Sequence, residues 1–241
     1  YVINTCTVTS NADKQSKKDI KKARNINPKA TIIVVGCYAQ LHPEKIAAIE
    51  GVDIVPGNYG KFNIHEYLEK YEKDKNQKIH TSKPEDLVKT HPSCSMGDRT
   101  RSFLKVQEGC DYNCSYCTIP LARGKSRNQS IKSLIDQAQN IANSGIKEII
   151  LTGINIGDFG RSTGETFLEL IKQLENVPGI ERYRIASIEP NLLNYDIIRF
   201  VSQSEKFLPH FHIPLQSGCN EILAKMKRRY NREFFRNKIQ Q

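Results

Sequence analysis

Three cysteines fall within eight residues, in Cys110-Asp111-Tyr112-Asn113-Cys114-Ser115-Tyr116-Cys117. Three thiolates in one loop can hold three corners of an iron–sulfur cube, which leaves the fourth iron open to another ligand. Zinc is a second reading, although structural zinc prefers four ligands in two separated pairs and no second local pair stands nearby. Free thiols are the third. A strand read at 103–107 precedes the cysteines directly. The thiols therefore sit at the carboxyl end of a strand, where α/β folds place their chemistry. Seven cysteines in 241 residues are too few for a disulfide scaffold. A metal or cluster site in a reducing compartment, the cytoplasm, is the expectation.

Cys6 and Cys37 each end a short apolar run, in Asn4-Thr5-Cys6 and Gly36-Cys37. If those runs are parallel neighbours, both carboxyl ends emerge at one sheet edge and the thiols meet despite their separation in sequence. They would be half a metal site; two ordinary buried cysteines fit equally well. His210 and His212, two apart on a strand, share a face. Without a third ligand nearby they read as core or rim histidines. The spacing of Gly153, Gly157 and Gly160 does not fit the dinucleotide fingerprint.

The elements that must position these residues follow a strand–helix rhythm. Apolar runs at 2–3, 30–35 and 52–55 alternate with helical stretches at 11–25 and 43–50, which implies parallel βαβ units. From 72 to 100, lysines, prolines and polar residues replace any apolar period, as in a linker. A second series has strands at 103–107, 148–151, 183–188 and 211–215. Helical periods lie between them, through Ile131, Leu134, Ile135, Ala138 and Ile141, then Phe167, Leu168, Leu170, Ile171 and Leu174. Such βα units belong to a doubly wound sheet or a barrel. The fold class is α/β: an open parallel N-terminal domain at 1–71, a linker at 72–100 and a βα domain at 101–241.

Lysine and arginine exceed aspartate and glutamate by 36 to 26, for a net charge of +10. That surplus favours polyanionic partners, nucleic acid first. Lysines on the first helix are read as its solvated face. Arg123, Lys125 and Arg127 follow the cysteine loop directly and are the candidates for RNA contact. No apolar run is long enough to span a membrane. The chain opens at Tyr1 within a strand and stops at Gln241 within a basic, helix-like stretch, so it reads as a fragment.

The three-cysteine spacing resembles that of the radical S-adenosylmethionine (SAM) enzymes. Further segments resemble the methylthiotransferase family within them: Asn4-Thr5-Cys6-Thr7-Val8-Thr9, Gly36-Cys37-Tyr38, Glu108-Gly109-Cys110, Ala122-Arg123-Gly124 and Ile213-Pro214-Leu215-Gln216-Ser217-Gly218. The resemblance implies a partial radical SAM (β/α) barrel behind the N-terminal domain. It also implies two 4Fe–4S clusters. One is held by Cys110, Cys114 and Cys117, with SAM on its open iron. The other is an auxiliary cluster held by Cys6, Cys37 and a third cysteine upstream of Tyr1; Cys94 matches no family ligand. By the same resemblance Tyr116 lies near the adenine, Thr152 and Gly153 meet the SAM amino group, Ser187 and Glu189 end the third strand where ribose and methionine contacts occur, and Gln216, at the end of the fourth, also binds the cofactor. Strand-end residues also cap helices, as Asn194 or Ser217 would.

Leu151-Thr152-Gly153-Ile154-Asn155-Ile156-Gly157 and Ser187-Ile188-Glu189-Pro190 look most like the branch that modifies threonylcarbamoyladenosine in tRNA. In that chemistry one SAM methylates a sulfur and another yields a radical that opens the adenine C2–H bond, with an electron donor protein supplying the electron. The rival substrates are isopentenyl-adenosine in tRNA and a ribosomal protein aspartate. A rival of another class is a non-catalytic metal- or cluster-binding RNA-binding protein.

Overall fold

Ile32, Ile33, Val34 and Val35 are apolar at every position, so no face of that strand suits water. In the computed structural model, which describes residues 1–74, 78–83, 90–95 and 100–241, all four are buried. The strands β1 (Val2–Thr5), β2 (Ile33–Gly36) and β3 (Ile54–Gly57) form a parallel sheet in that order. Ile32 and Val34 join Ile20 and Ala23 of α1 (Ser10–Ile26), Tyr38 and Ala39 of α2 (Cys37–Leu41) and Ile46 of α3 (Pro43–Ala47). Ile33, Val35 and Ile54 pack instead against Ile64, Tyr67, Leu68 and Tyr71 of α4 (Ile64–Lys73). Successive strand residues point to opposite faces, so β2 feeds two cores at once.

Thr9 starts α1 by accepting a hydrogen bond from the Ala12 amide at 3.2 Å, and of its side chains only Ser16, Ile20 and Ala23 are buried. The lysines are therefore outside, as their crowding predicts. Helix α2 was not legible: it starts at Cys37, immediately after β2, with no intervening turn residue.

Residues Tyr1–Val88 with Thr118–Gly124 make one compact unit, and Lys89–Cys117 with Lys125–Gln241 make the other. The first thus gains α5 (Ile119–Arg123), a helix distant in sequence, whose Ala122 carbonyl accepts from the Asn58 side chain at 3.4 Å. Of the expected linker, 75–77, 84–89 and 96–99 lie outside the described residues. The stretch 78–82 runs along the first sheet: Val55 exchanges backbone bonds with Lys78 and His80 at 2.8 and 3.0 Å, and Gln40 donates to the Ser82 carbonyl at 2.8 Å.

In the second unit β4 (Arg101–Lys105), β7 (Glu148–Thr152) and β8 (Arg182–Ile185) are parallel, in the order β4-β7-β8. Leu104, Ile149, Leu151, Tyr183 and Ile185 are buried in one core with residues of α6 (Ile131–Asn143), α7 (Phe167–Glu175) and α8 (Tyr195–Gln203). The alternating residues Phe103, Lys105, Glu148, Ile150, Thr152 and Arg184 are only half-buried, and no core cluster forms among them in the described residues. Helices on one face only make the arc of a (β/α) barrel, which decides between the two architectures the sequence left open.

The fourth strand, expected at 211–215, is reduced to single parallel bridges from Phe207 to Tyr183 and from His212 to Ser187. Pro209 and Pro214 carry no amide hydrogen to continue a ladder. Among the described residues no helix is long and apolar enough to cross a membrane.

Candidate cluster-binding site

The chain leaves β4 through β5 (Gln107–Glu108) and returns at β6 (Arg127–Asn128), which pairs antiparallel with it. This short ribbon pins both ends of the cysteine loop. Glu108 is almost fully buried and is held by Lys105 at 3.1 Å and Arg127 at 3.6 Å. Buried Gln107 works in two directions. Its Nε2 donates to the Gly109 carbonyl and the Ser126 hydroxyl, both at 2.9 Å. Its Oε1 accepts from the Ile154 and Asn155 amides at 3.0 and 2.9 Å. One amide side chain thus fastens the cysteine loop to the loop after β7.

Within the loop Cys114 is buried while Cys110 and Cys117 are half-buried. The Cys117 amide bonds to the Cys114 carbonyl at 3.1 Å, and the Tyr112 amide donates to Cys110 Sγ at 3.4 Å. Burial pushes the Cys110 thiol up to about 11, against the pull of the Tyr112 amide and with Cys117 and Asp158 adding to the rise. A thiol so disposed is a poor nucleophile, and a metal centre is what would deprotonate it.

Among the described residues no three His, Cys, Asp or Glu side chains converge on one ion position. Thiols around a cubane need not converge, because each binds a different iron. Three thiols on one pinned loop, with N–H donors turned to two of the sulfurs, fit a 4Fe–4S cluster.

A second segment straps this loop from outside. It follows α9 (Asn220–Lys225), and Lys227 within it takes the left-handed conformation at φ 56°. Ser115 donates its hydroxyl to the Lys225 carbonyl at 2.9 Å and its amide to the Met226 carbonyl at 3.3 Å. Arg228 donates from Nη1 to Cys114 Sγ and to the Tyr116 hydroxyl, both at 3.2 Å, and its Nη2 pairs with Glu189. Burial opposes the Arg228 charge, yet the Glu189 carboxylate outweighs it and raises the guanidinium pKa. Arg229 donates to the Asp111 carbonyl at 3.1 Å and lies 3.8 Å from the Tyr112 ring centre.

The structure thereby brings Tyr116 and Glu189 together with Cys114, through Arg228. Ser187 bonds His212 Nδ1 at 2.6 Å. That contact accounts for His212, and both His210 and His212 are exposed. The Thr152 hydroxyl donates to the Leu104 carbonyl at 3.3 Å and its carbonyl accepts from Val106 at 2.9 Å, so this side chain is spent on the sheet. Gly153 has Gln107 against it: an added Cβ would lie 3.0 Å from the Gln107 carbonyl oxygen. Gln216 is exposed at φ 61°. Asn194 does cap α8, accepting from Ile197 at 2.9 Å. Arg127 is committed to Glu108, whereas Lys125 is exposed and Arg123 half-buried in the first unit.

Residues that sequence reasoning passed over are Gln107, Arg228, Asn155 and Asp158. Asn155 and Asp158 are each 2% exposed, and neither atom of the Asn155 side-chain amide has a partner among the described residues. Asp158 pairs with Arg161 at 2.6 Å. A glutamine closing an apolar strand was the one visible signal.

In the first unit the register pairs Thr5 with Gly36, so Cys6 and Cys37 are the residues that follow the ends of two paired strands, Cys37 being the first of α2. Thr5 reinforces that edge by donating to the Val35 carbonyl at 2.7 Å and accepting from the Ala39 amide at 3.2 Å. Cys6 is exposed and Cys37 buried.

Residues 104–240 match the Radical SAM superfamily, a span that holds the pinned loop, the strap and the barrel arc. The chain belongs to the radical SAM superfamily. Residues 1–57 of this radical SAM protein match a second family, described as Uncharacterized protein family UPF0004. It is 40% identical over 99% of its length to "Threonylcarbamoyladenosine tRNA methylthiotransferase MtaB" of Bacillus subtilis, and 38% identical over 97% to the protein of that name from Aquifex aeolicus. It is 32% identical over 96% to "tRNA-2-methylthio-N(6)-dimethylallyladenosine synthase" of Clostridium novyi.

These alignments cover 54%, 57% and 53% of the three relatives, so the chain spans about half the length of the curated relatives it matches. Its fold is that of the radical SAM methyltransferase TsrM from Kitasatospora setae, with a TM-score of 0.66 at 13% identity over 94% of this chain and 50% of that one.

Proposed function

We propose that the protein is a cytoplasmic tRNA methylthiotransferase that places a methylthio group on C2 of N6-threonylcarbamoyladenosine next to the anticodon. The observation that carries this reading is the 40% identity to the B. subtilis threonylcarbamoyladenosine enzyme along nearly the whole chain. Cys110, Cys114 and Cys117 would hold one 4Fe–4S cluster. Cys6 and Cys37 would give two ligands to an auxiliary one. The first cluster, when bound, supplies the electron that cleaves the SAM sulfonium, and an inert C–H bond demands such radical chemistry; an electron donor protein refills it.

The chain's own groups position the reactants. Glu189 is oriented by Arg228, and Ser187 by His212. With Thr152 tied to β4, Gly153 is the member of that pair left to meet the SAM amino group. Tyr116, half exposed, offers a ring for the adenine. Lys125 is the loop cation available to a tRNA phosphate.

The test is anaerobic reconstitution of the full-length protein with iron and sulfide, then incubation with SAM, reductant and tRNA, followed by mass spectrometry of the nucleosides. A methylthio group on threonylcarbamoyladenosine is expected. A product on isopentenyl-adenosine alone would transfer the protein to that branch. SAM cleavage with no tRNA product would point to the ribosomal protein substrate. A bound metal with no 5′-deoxyadenosine would leave a binding protein.

A further inference from the structure

Arg228 sits at a junction between the strap, Glu189 and the cysteine loop. Its side chain is 3% exposed and its partner Glu189 16%. Desolvating such a pair is costly, and stability alone is better served by apolar residues of the same size. Only one of its terminal nitrogens serves the carboxylate. The other, Nη1, faces Cys114 Sγ at 3.2 Å and the Tyr116 hydroxyl at 3.2 Å. The place of Arg228 on the chain is set by the end of α9: Lys227 takes the left-handed conformation just past the helix, and the Lys227 and Arg228 amides cap the Ala224 and Leu223 carbonyls at 2.9 Å.

From this geometry we propose that Arg228 is a positioning residue that sets the reduction potential of a cluster held by Cys110, Cys114 and Cys117. It does so by donating an N–H hydrogen bond to the Cys114 sulfur while Glu189 partly offsets its charge. The inference rests on the reading that these thiols hold a 4Fe–4S cluster.

The physical basis is simple. Reduction adds negative charge that spreads onto the thiolate sulfurs. A buried cation donating to one of them stabilises the reduced state, and hydrogen bonds to sulfur are a recognised means of tuning such potentials. Arginine suits the task because its fork can hold a carboxylate with one nitrogen and a sulfur with the other, which lysine's single ammonium does less well. Tyr116, through the same nitrogen, is fixed beside the third cysteine.

The experiment is a redox titration, followed by electron paramagnetic resonance, of the reconstituted full-length protein without SAM. Unmutated protein is compared with Arg228→Met, Arg228→Gln and Glu189→Gln at matched iron and sulfide content. Both Arg228 substitutions are expected to make the cluster harder to reduce. The ratio of reduced to oxidised cluster at a fixed potential should fall about tenfold, which is 59 mV for one electron. Glu189→Gln is expected to shift the ratio the other way, which a purely structural role would not produce.

A ratio within twofold of the unmutated protein in an iron-replete Arg228 variant overturns the proposal. Loss of iron from both Arg228 variants also overturns it, since Arg228 would then be holding the loop rather than tuning it. Failure of the unmutated protein to form a cluster would instead strike the reading on which the proposal rests.

Discussion

The two parallel sheets of this protein solve different problems. The first, β1-β2-β3, is covered on both faces, by α1, α2 and α3 on one side and α4 on the other. The second, β4-β7-β8, buries one face under helices and leaves Lys105, Glu148, Thr152 and Arg184 half-exposed on the other. A sheet closed on both faces has only its edges to offer, and Cys6 and Cys37 each follow the carboxyl end of one of its strands. A sheet with one face uncovered can surround a ligand, and its thiols sit on a loop pinned and strapped by side chains. Backbone register places the ends of β1 and β2, just before Cys6 and Cys37, opposite each other; the second site is assembled by Gln107, Glu108 and Arg228.

The sharpest contrast is between the thiols themselves. Cys114→Ala is expected to abolish 5′-deoxyadenosine formation in the reconstituted full-length protein, whereas Cys37→Ala should keep SAM cleavage and lose the methylthio product. Equal loss of cleavage in both would erase the distinction between the two sites.

Next in size is Gly36→Ala. Gly36 has φ 101°, and an added Cβ would lie 2.3 Å from the Thr5 carbonyl oxygen, on the neighbouring strand. A loss of about 3 kcal/mol or more in chemical denaturation is expected, because backbone on both sides must move. Gly145, with φ 88° but nothing within 4 Å, should cost only about 1 kcal/mol for the same change.

The covered and uncovered sheets separate more finely in a matched pair. Ile33→Ala should cost about 3 kcal/mol and Ile150→Ala about 1, since only the former empties a closed core. Similar losses would mean that the second sheet is as enclosed as the first. Replacing Gln107 by Leu should cost about 2 kcal/mol by stranding the Ile154 and Asn155 amides, read as a lower midpoint in thermal unfolding. The smallest effect belongs to Lys125→Ala. It should weaken tRNA binding a few-fold and reduce the slope of log affinity against log salt by about one contact.

Much of this was legible because it is local. The spacing of Cys110, Cys114 and Cys117, the unbroken apolar run of β2 and the Thr9 cap of α1 each declare themselves within a few residues. That β1 and β2 are parallel neighbours, the assumption behind pairing Cys6 with Cys37, is met by the Thr5–Gly36 register. What escaped was long-range. Gln107 reaches across to Asn155, and Arg228 reaches back to Cys114 past three strands and five α-helices. In the sequence Arg228 is one more cation in a basic run. The fourth strand was misjudged for another reason: apolar residues at Phe211 and Ile213 suggest a ladder, but the prolines on either side remove its donors. Arg127 looked like a surface cation until Glu108 claimed it.

The β5–β6 ribbon has a consequence in chain statistics. By pairing Glu108 with Arg127 it closes the stretch 109–126 into a loop within the protein's own fold. Closing a flexible loop of that length costs roughly 2.5 kcal/mol in the logarithmic term alone. That entropy is lost once, when the polypeptide folds, and not when iron arrives. Incoming metal therefore meets three thiols whose wandering has already been curtailed, and loss of the cluster would leave behind a loop still gathered to receive another.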